Sequence, residues 1–291
     1  MSEQVLREVK GYWKGKNIRQ QWYSDRNAKS IAWFNELRYY RYNLYYRYLV
    51  EDAEFKYHTN EKVLEIGIGA GTDLAEYALN GAKVSGIDLN NDQIELTKLN
   101  FQQRGLEYEY LGEGNAEDLK FSDNTFDLVY SFGVLHHTPN TQKAINEIFR
   151  VLKPDGKAII MLYARGWKHY IKRCLIHGLL LGKWFKAGFD WKVVYNKVSE
   201  VNGNSPKTEI YSKKQVKNFF LDFNRVEIKK RRMGEFFEYA PYRTFVLPKI
   251  IQKTISFMGF EALFGENWLI TAHKADQPRK TSFKEVIINH Y

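Results

Sequence analysis

The sequence predicts an α/β protein organised around a doubly wound, mostly parallel sheet with helices on both faces, and three observations carry that expectation. From Lys62 to Tyr163, short runs rich in Val, Ile and Leu alternate with stretches of helical period. The first run, KVLEIGI, opens directly into a loop with glycine at 67, 69 and 71. The chain of 291 residues, 44% of them hydrophobic, is long enough to bury such a sheet between layers of helices.

Residues 1–57 precede the alternation and are crowded with aromatic residues and arginines, as in GYWKG, QQWYSDR and AWFNELRYYRYNLYYRYL. The spacing from Trp33 to Leu49 suits a helix with aromatic and polar residues mixed around it, so this arm must lie against something large. A core follows over 58–163. Within it KVLEIGI reads as a buried strand, TDLAEYALN as a helix, KVSGIDL as a second strand and NDQIELTKLNFQQRG as a helix closed by its glycine. LEYEYLGEG reads as the third strand and FDLVYSFG as the fourth. TQKAINEIFRVL is a helix, KPDG a turn and GKAIIMLY the fifth strand. Right-handed crossovers between parallel strands follow from this alternation.

After Tyr163 the pattern breaks. Residues 164–208 form an insertion rich in Trp, Lys and Leu, and the core resumes over 209–274. There SKKQVKNFFLDF reads as a helix capped by Ser212, RVEIKKRRM as a strand, 234–265 as a second insertion and NWLITAHK as the last strand. A loosely ordered tail, 275–291, is expected to close the chain.

In a doubly wound sheet, ligands bind beyond the carboxyl ends of the strands where strand order reverses. The glycines at one such end let backbone approach a ligand, and the helix starting near Thr72 offers unpaired N–H groups. That arrangement suits a pyrophosphate or an amino-acid carboxylate equally. Asp88 ends the second strand, where a carboxylate accepts both hydroxyls of a ribose; it could also cap the helix that follows. The third strand leads into GNAEDLKF at 114–121, then SDNTFDLVYSFGVLHHTP at 122–139, a string that a dinucleotide-binding domain has no reason to carry.

With the RVLKPDG turn, these ordered motifs make the stretch from Lys62 to Tyr163 resemble the class I S-adenosylmethionine-dependent methyltransferases, in the small-molecule branch that includes ubiquinone and menaquinone C-methyltransferases. NSPKTEIYS at 204–212 also resembles a segment of some bacterial members. The resemblance implies a Rossmann-like seven-stranded sheet with its last strand antiparallel, an N-terminal helical lid and insertions after strands 5 and 6. It implies S-adenosylmethionine as cofactor and S-adenosylhomocysteine as product.

The resemblance also implies roles for single residues. Glu65, Gly67, Gly69 and Gly71 match the loop around the methionine half, Glu65 facing its ammonium. Asp88 matches the ribose-binding acid and Leu89 packs on the adenine. Asn115 stands where relatives often have aspartate; its amide oxygen can accept from the adenine amino group, with the Ala116 backbone at the adenine edge. Ser131 and Phe132 line the methionine side. His136 and His137 end the fourth strand and are candidates for base or orienter, against the alternative that they are hydrogen-bonded scaffolding. Tyr12, Arg38 and Tyr39 are candidates for a lid or for the cofactor carboxylate, against plain packing of the arm.

The charge is uneven. Residues 61–160 hold 9 Lys+Arg against 16 Asp+Glu, a net of −7, and the rest of the chain holds 35 against 18, a net of +17. The small-molecule acceptor is expected to be acidic or aromatic, and the basic flanks around an acidic core motivate the acidic reading. They also admit a nucleic-acid methyltransferase, for which KKRR at 229–232 lacks any recognition motif, or a non-catalytic scaffold that binds the cofactor. The segment 166–192 reads as a cap on the site or as a basic amphipathic helix touching a membrane surface. No run reaches the roughly 20 apolar residues of a membrane span. The charged start MSEQVLREVKGYWKG and the single cysteine, Cys174, suggest the cytoplasm. No metal is expected, because no HxxxH or CxxC spacing occurs.

Overall fold

The computed structural model describes residues 2–14, 29–166, 182, 188, 190–198, 205–231 and 265–275. An N-terminal helix α1 (Ser2–Trp13) is followed by α2 (Ile31–Tyr40), a π-helical turn (Arg41–Tyr45) and the short α3 (Leu49–Asp52). The core alternates β1 (Lys62–Ile66), α4 (Thr72–Leu79), β2 (Lys83–Asp88), α5 (Asn91–Arg104), β3 (Tyr110–Glu113) and β4 (Phe126–Phe132). It continues with α6 (Thr141–Val151), β5 (Leu152–Tyr163), α7 (Trp191–Val198), α8 (Lys213–Phe219), β6 (Arg225–Arg231) and β7 (Asn267–His273).

The seven strands form one sheet in the order β3-β2-β1-β4-β5-β7-β6, parallel except for β7, which runs antiparallel to both neighbours. Strand order reverses between β1 and β4, so the crevice at their carboxyl ends is the topological switch point. The central strands are apolar on both sides because both faces are covered. Leu64, Ile66, Val129, Ile160 and Ile270 join the core beneath α6 and α8. Val63, Leu128, Tyr130, Ile159 and Leu269 join the core beneath α4, α5 and the arm, where Tyr42, Leu49 and Phe55 reach in.

Local signals account for the ends of these elements. Gly71 enters α4 at φ +69° and Gly105 closes α5 at φ +63°, both left-handed conformations that cost L-residues. Asn140 caps α6 through Lys143 N–H at 3.0 Å, and Ser212 with Gln215 forms a capping box on α8.

Three elements depart from the sequence expectation. The expected single helix from Trp33 to Leu49 is interrupted by the π turn at Arg41–Tyr45, and the chain leaves helical geometry at Tyr46 before α3 begins. The expected KPDG turn before β5 lies inside it: Leu152 already pairs with Phe126, Lys157 pairs with Leu128, and residues between loop out around Asp155 at φ +60°. β3 keeps only Tyr110–Glu113 of the expected LEYEYLGEG. Most of the 164–208 insertion including Cys174, the 234–265 insertion up to residue 264 and the tail beyond residue 275 lie outside the described residues. No helix among the described residues is long and apolar enough to cross a membrane.

Candidate functional site

The crevice at the ends of β1, β2 and β4 gathers most of the residues singled out in the sequence. Gly67, Gly69 and Gly71 adopt φ of +82°, +53° and +69°, so the loop that leaves β1 is left-handed at every second residue. A Cβ on Gly67 would lie 2.2 Å from Val134 Cγ2, and one on Gly71 would lie 2.6 Å from Thr97 Cγ2. At these two positions the missing side chain makes room for the protein's own neighbours. The loop is held by α5: Thr97 donates to Gly69 O at 3.0 Å and Asn100 to Ala70 O at 2.9 Å.

Asp88 lies across this loop. Its Oδ2 accepts from Gly69 N–H at 3.2 Å and its Oδ1 from Asn90 N–H at 3.0 Å. Asn90, not Asp88, is the N-cap of α5. Burial raises the Asp88 pKa, and the backbone donors at Asn90 and Gly69 oppose that shift. Each carboxylate oxygen retains lone-pair capacity for a ligand hydroxyl. Leu89 is half-buried beyond the strand end.

Glu65 is 4% exposed, and its Oε2 has no hydrogen-bond partner. Burial pushes its carboxyl well above the ordinary range, with the Asp73 charge adding and Arg41 opposing. A buried carboxylate oxygen left without a donor is costly, and a cation against it would restore the ionised form. The site can therefore take an ammonium group here.

On the far side of β2, Asn115 Oδ1 accepts from Glu117 N–H at 3.0 Å, which leaves that oxygen one further lone pair. Ala116 is buried in the core. Ser131 donates to Ile66 O at 3.0 Å and so ties β4 to β1, while the Phe132 ring meets Tyr46 at 4.8 Å.

His136 and His137 are buried in a 3₁₀ turn after β4. The His136 ring stacks on Tyr163 with centroids 3.8 Å apart. The His137 Nδ1 lies 2.8 Å from Lys207 O, an acceptor, so this nitrogen carries the proton in the neutral ring and Nε2 is the basic one. The 205–211 segment is thereby placed on the site, with Thr208 Oγ1 3.3 Å from the same nitrogen and Glu209 N–H donating to His136 O at 3.0 Å.

The arm contributes in two places. Lys10 of α1 pairs with Glu113 at the end of β3, and Trp13 meets the His137 ring edge-on at 5.1 Å. Helix α1 thus bridges the carboxyl ends of β3 and β4. Tyr12 is half-buried and packs on Trp13 at 4.9 Å. Arg38 is committed to Glu76 on α4, and Tyr39 is 55% exposed. The residue that sequence reading missed is Arg41, which forks onto the buried Asp73 of α4 and lies 4.8 Å over the Phe132 ring. Asp73 also accepts from Tyr42 at 2.6 Å and Tyr130 at 2.7 Å. Among the described residues, no group of His, Cys, Asp and Glu could hold a metal ion.

Residues 64–160 match the family model described as a methyltransferase domain. An uncharacterized methyltransferase, YcgJ, of Bacillus subtilis is 30% identical over 113 residues, which cover 39% of this chain and 44% of that protein. A ubiquinone biosynthesis O-methyltransferase of Rickettsia prowazekii is 31% identical over 137 residues, 46% of this chain and 54% of that protein. The chain thus spans about half the length of the curated relatives it matches. A solved structure of phosphoethanolamine N-methyltransferase 2 from Haemonchus contortus, in complex with phosphomonomethylethanolamine and S-adenosylhomocysteine, shares the fold. It has a TM-score of 0.56 at 16% identity, over 92% of this chain and 61% of that one. The switch-point crevice and the domain match agree on a methyltransferase domain over residues 64–160.

Proposed function

We propose that the chain transfers a methyl group from S-adenosylmethionine to a small aromatic acceptor and releases S-adenosylhomocysteine. The observation that carries this reading is the buried, unpartnered Oε2 of Glu65, set beside the glycine loop and one strand from Asp88. An adenosyl amino acid needs such a pair: an anion for its ammonium and an acid for its ribose. S-adenosylmethionine supplies a methyl carbon already activated by a sulfonium.

The remaining work belongs to the chain. Glu65 holds the ammonium, Asp88 the ribose hydroxyls, and Leu89, Asn115 and the Ala116 backbone hold the adenine, while Ser131 and Phe132 bound the methionine side. His137 accepts a proton at Nε2 if the acceptor is a hydroxyl or amine, and the stack of His136 on Tyr163 supports the imidazole pair from below. Helix α1 acts as a lid: Trp13 over His137 excludes water and narrows the approach of the acceptor, which is the largest contribution a protein makes to such a displacement.

Among the described residues, several cations of the basic flanks already have partners, which weakens the case for an anionic acceptor. Arg38, Arg41 and Arg231 pair with Glu76, Asp73 and Asp52, and Lys207 donates to Pro139 O at 2.6 Å. The same holds for the run that would serve a nucleic acid, since Lys229 and Arg231 meet Asp52 and Lys230 lies 5.4 Å over the Trp268 ring. An uncharged aromatic acceptor fits these observations better. The test is release of S-adenosylhomocysteine when the protein is mixed with S-adenosylmethionine and fractions of a cell extract. Release with the dialysable fraction that survives nuclease is expected. Release only with the macromolecular fraction, or with none, would refute the proposal.

A further inference from the structure

Among the described residues, two buried acceptor oxygens without a hydrogen-bond partner lie on strands of the sheet, both toward its carboxyl edge. One is Glu65 Oε2 on β1; the other is Oδ1 of Asn267. Asn267 heads the antiparallel strand β7 and pairs with Tyr163, the last residue of β5. Residues directly opposite in an antiparallel pair share a face, so Asn267 stands beside the Tyr163 ring that stacks on His136. The residue is 0% exposed; its Nδ2 donates to the Tyr48 hydroxyl at 3.3 Å, and its Oδ1 has no hydrogen-bond partner. With β4 and β5 between β1 and β7, the two oxygens are roughly 14 Å apart at the usual strand spacing, too far to serve one ligand group. The first suits the cofactor's ammonium. The second needs a donor from another molecule.

We infer that Asn267 selects the methyl acceptor: its side-chain oxygen takes a hydrogen bond from a hydroxyl or amino group on the acceptor ring. The inference rests on the methyl-transfer reading above. A buried amide oxygen accepts and does not donate, so a compound offering only acceptor atoms leaves both groups unsatisfied. The tyrosine and histidine rings around Tyr163 supply the walls for a flat ring.

The test is calorimetry on the full chain, first with S-adenosylhomocysteine alone and then, on the loaded protein, with catechol, aniline, anisole and benzoate. Catechol or aniline should bind about tenfold or more tightly than anisole and benzoate, the discrimination a single hydrogen bond to a buried group gives. Which of the two binds better identifies hydroxyl or amine. Asn267→Leu should lower the donor-bearing compounds to the level of anisole, and Asn267→Asp, which keeps an accepting oxygen, should retain the preference. Should the Leu variant fail to fold, the wild-type panel and the Asp variant decide. Equal binding of catechol, aniline and anisole, tighter binding of benzoate, no binding of any panel compound, or an unchanged Leu variant would overturn the inference. Failure of S-adenosylhomocysteine itself to bind would instead overturn the methyl-transfer reading.

Discussion

Replacing Gly67 by alanine probes the loop at its tightest point. The new Cβ would sit 2.2 Å from Val134 Cγ2 and 2.9 Å from Cγ1, on a backbone at φ +82°. The left-handed conformation costs an L-residue about 1–2 kcal/mol, and forcing a methyl into packed neighbours costs about 1–3 kcal/mol, so G67A should lose about 2–5 kcal/mol. Val134 is half-buried, and V134A alone should lose on the order of 1 kcal/mol. In the V134A background both clashing methyls are gone and only a 3.1 Å contact with the Cβ of residue 134 remains, so G67A should then cost little beyond the conformational part, about 1–2 kcal/mol. Urea unfolding of the four proteins, followed by circular dichroism, gives a coupling of about 1–3 kcal/mol between the two sites. A G67A protein within about 0.5 kcal/mol of wild type, or a penalty identical in both backgrounds, would refute the account of why this loop is glycine-spaced.

Other perturbations test the elements around it. Arg41→Ala strands the charge of buried Asp73 with only the Tyr42 and Tyr130 hydroxyls, and should destabilise by about 3–5 kcal/mol in chemical denaturation, with Arg41→Lys recovering little because it cannot fork. Glu54 is held at a pKa of about 2 by its contacts with His58, at 3.4 Å, and with the Lys157 ammonium, against burial. Because its folded-state pKa lies below the unfolded value of 4.5, its contribution is present above that value and lost as pH falls from 4.5 toward about 2. For a half-exposed group, solvent screening reduces the effect to about 1 kcal/mol, and Glu54→Gln should flatten the stability profile in that window. Trp13→Ala removes an aromatic contact worth about 0.5–1.5 kcal/mol, so stopped-flow release of S-adenosylhomocysteine should speed up by roughly 2–12-fold if α1 is the lid.

The order of the core strands was legible because each strand is a short apolar run closed by its own turn signal, and doubly covered strands have little other way to read. The glycine spacing was legible as a loop without room for side chains, yet the cause at Gly67 and Gly71 was not. Sequence shows that Cβ atoms are missing, while only the fold shows that Val134 and Thr97 occupy the space beside Gly67 and Gly71. In the arm, the sequence drew attention to Arg38, and the buried cation is Arg41, three residues on. A helical period running from buried Phe34 already carries Arg41 and Tyr42, seven and eight residues on, to the inner face; what the period cannot show is that Asp73, on a different helix, stands opposite them. Asn267 escaped notice for another reason. A polar residue at the start of an apolar strand is unremarkable until the antiparallel register sets it opposite Tyr163, and that register is non-local. The KPDG turn was read correctly as a turn but not as a bulge, since pairing of Leu152 with Phe126 ahead of it depends on a strand distant in sequence.

The most direct measurement is titration calorimetry of the full chain with S-adenosylhomocysteine, wild type against Asp88→Ala. The cradle at the ends of β1 and β2 predicts saturable binding by the wild type. It also predicts a loss of about 10- to 100-fold when the carboxylate that would hold two ribose hydroxyls is removed, at about 1.5–3 kcal/mol for charged hydrogen bonds. No binding by the wild type, or equal binding by the two proteins, would contradict it.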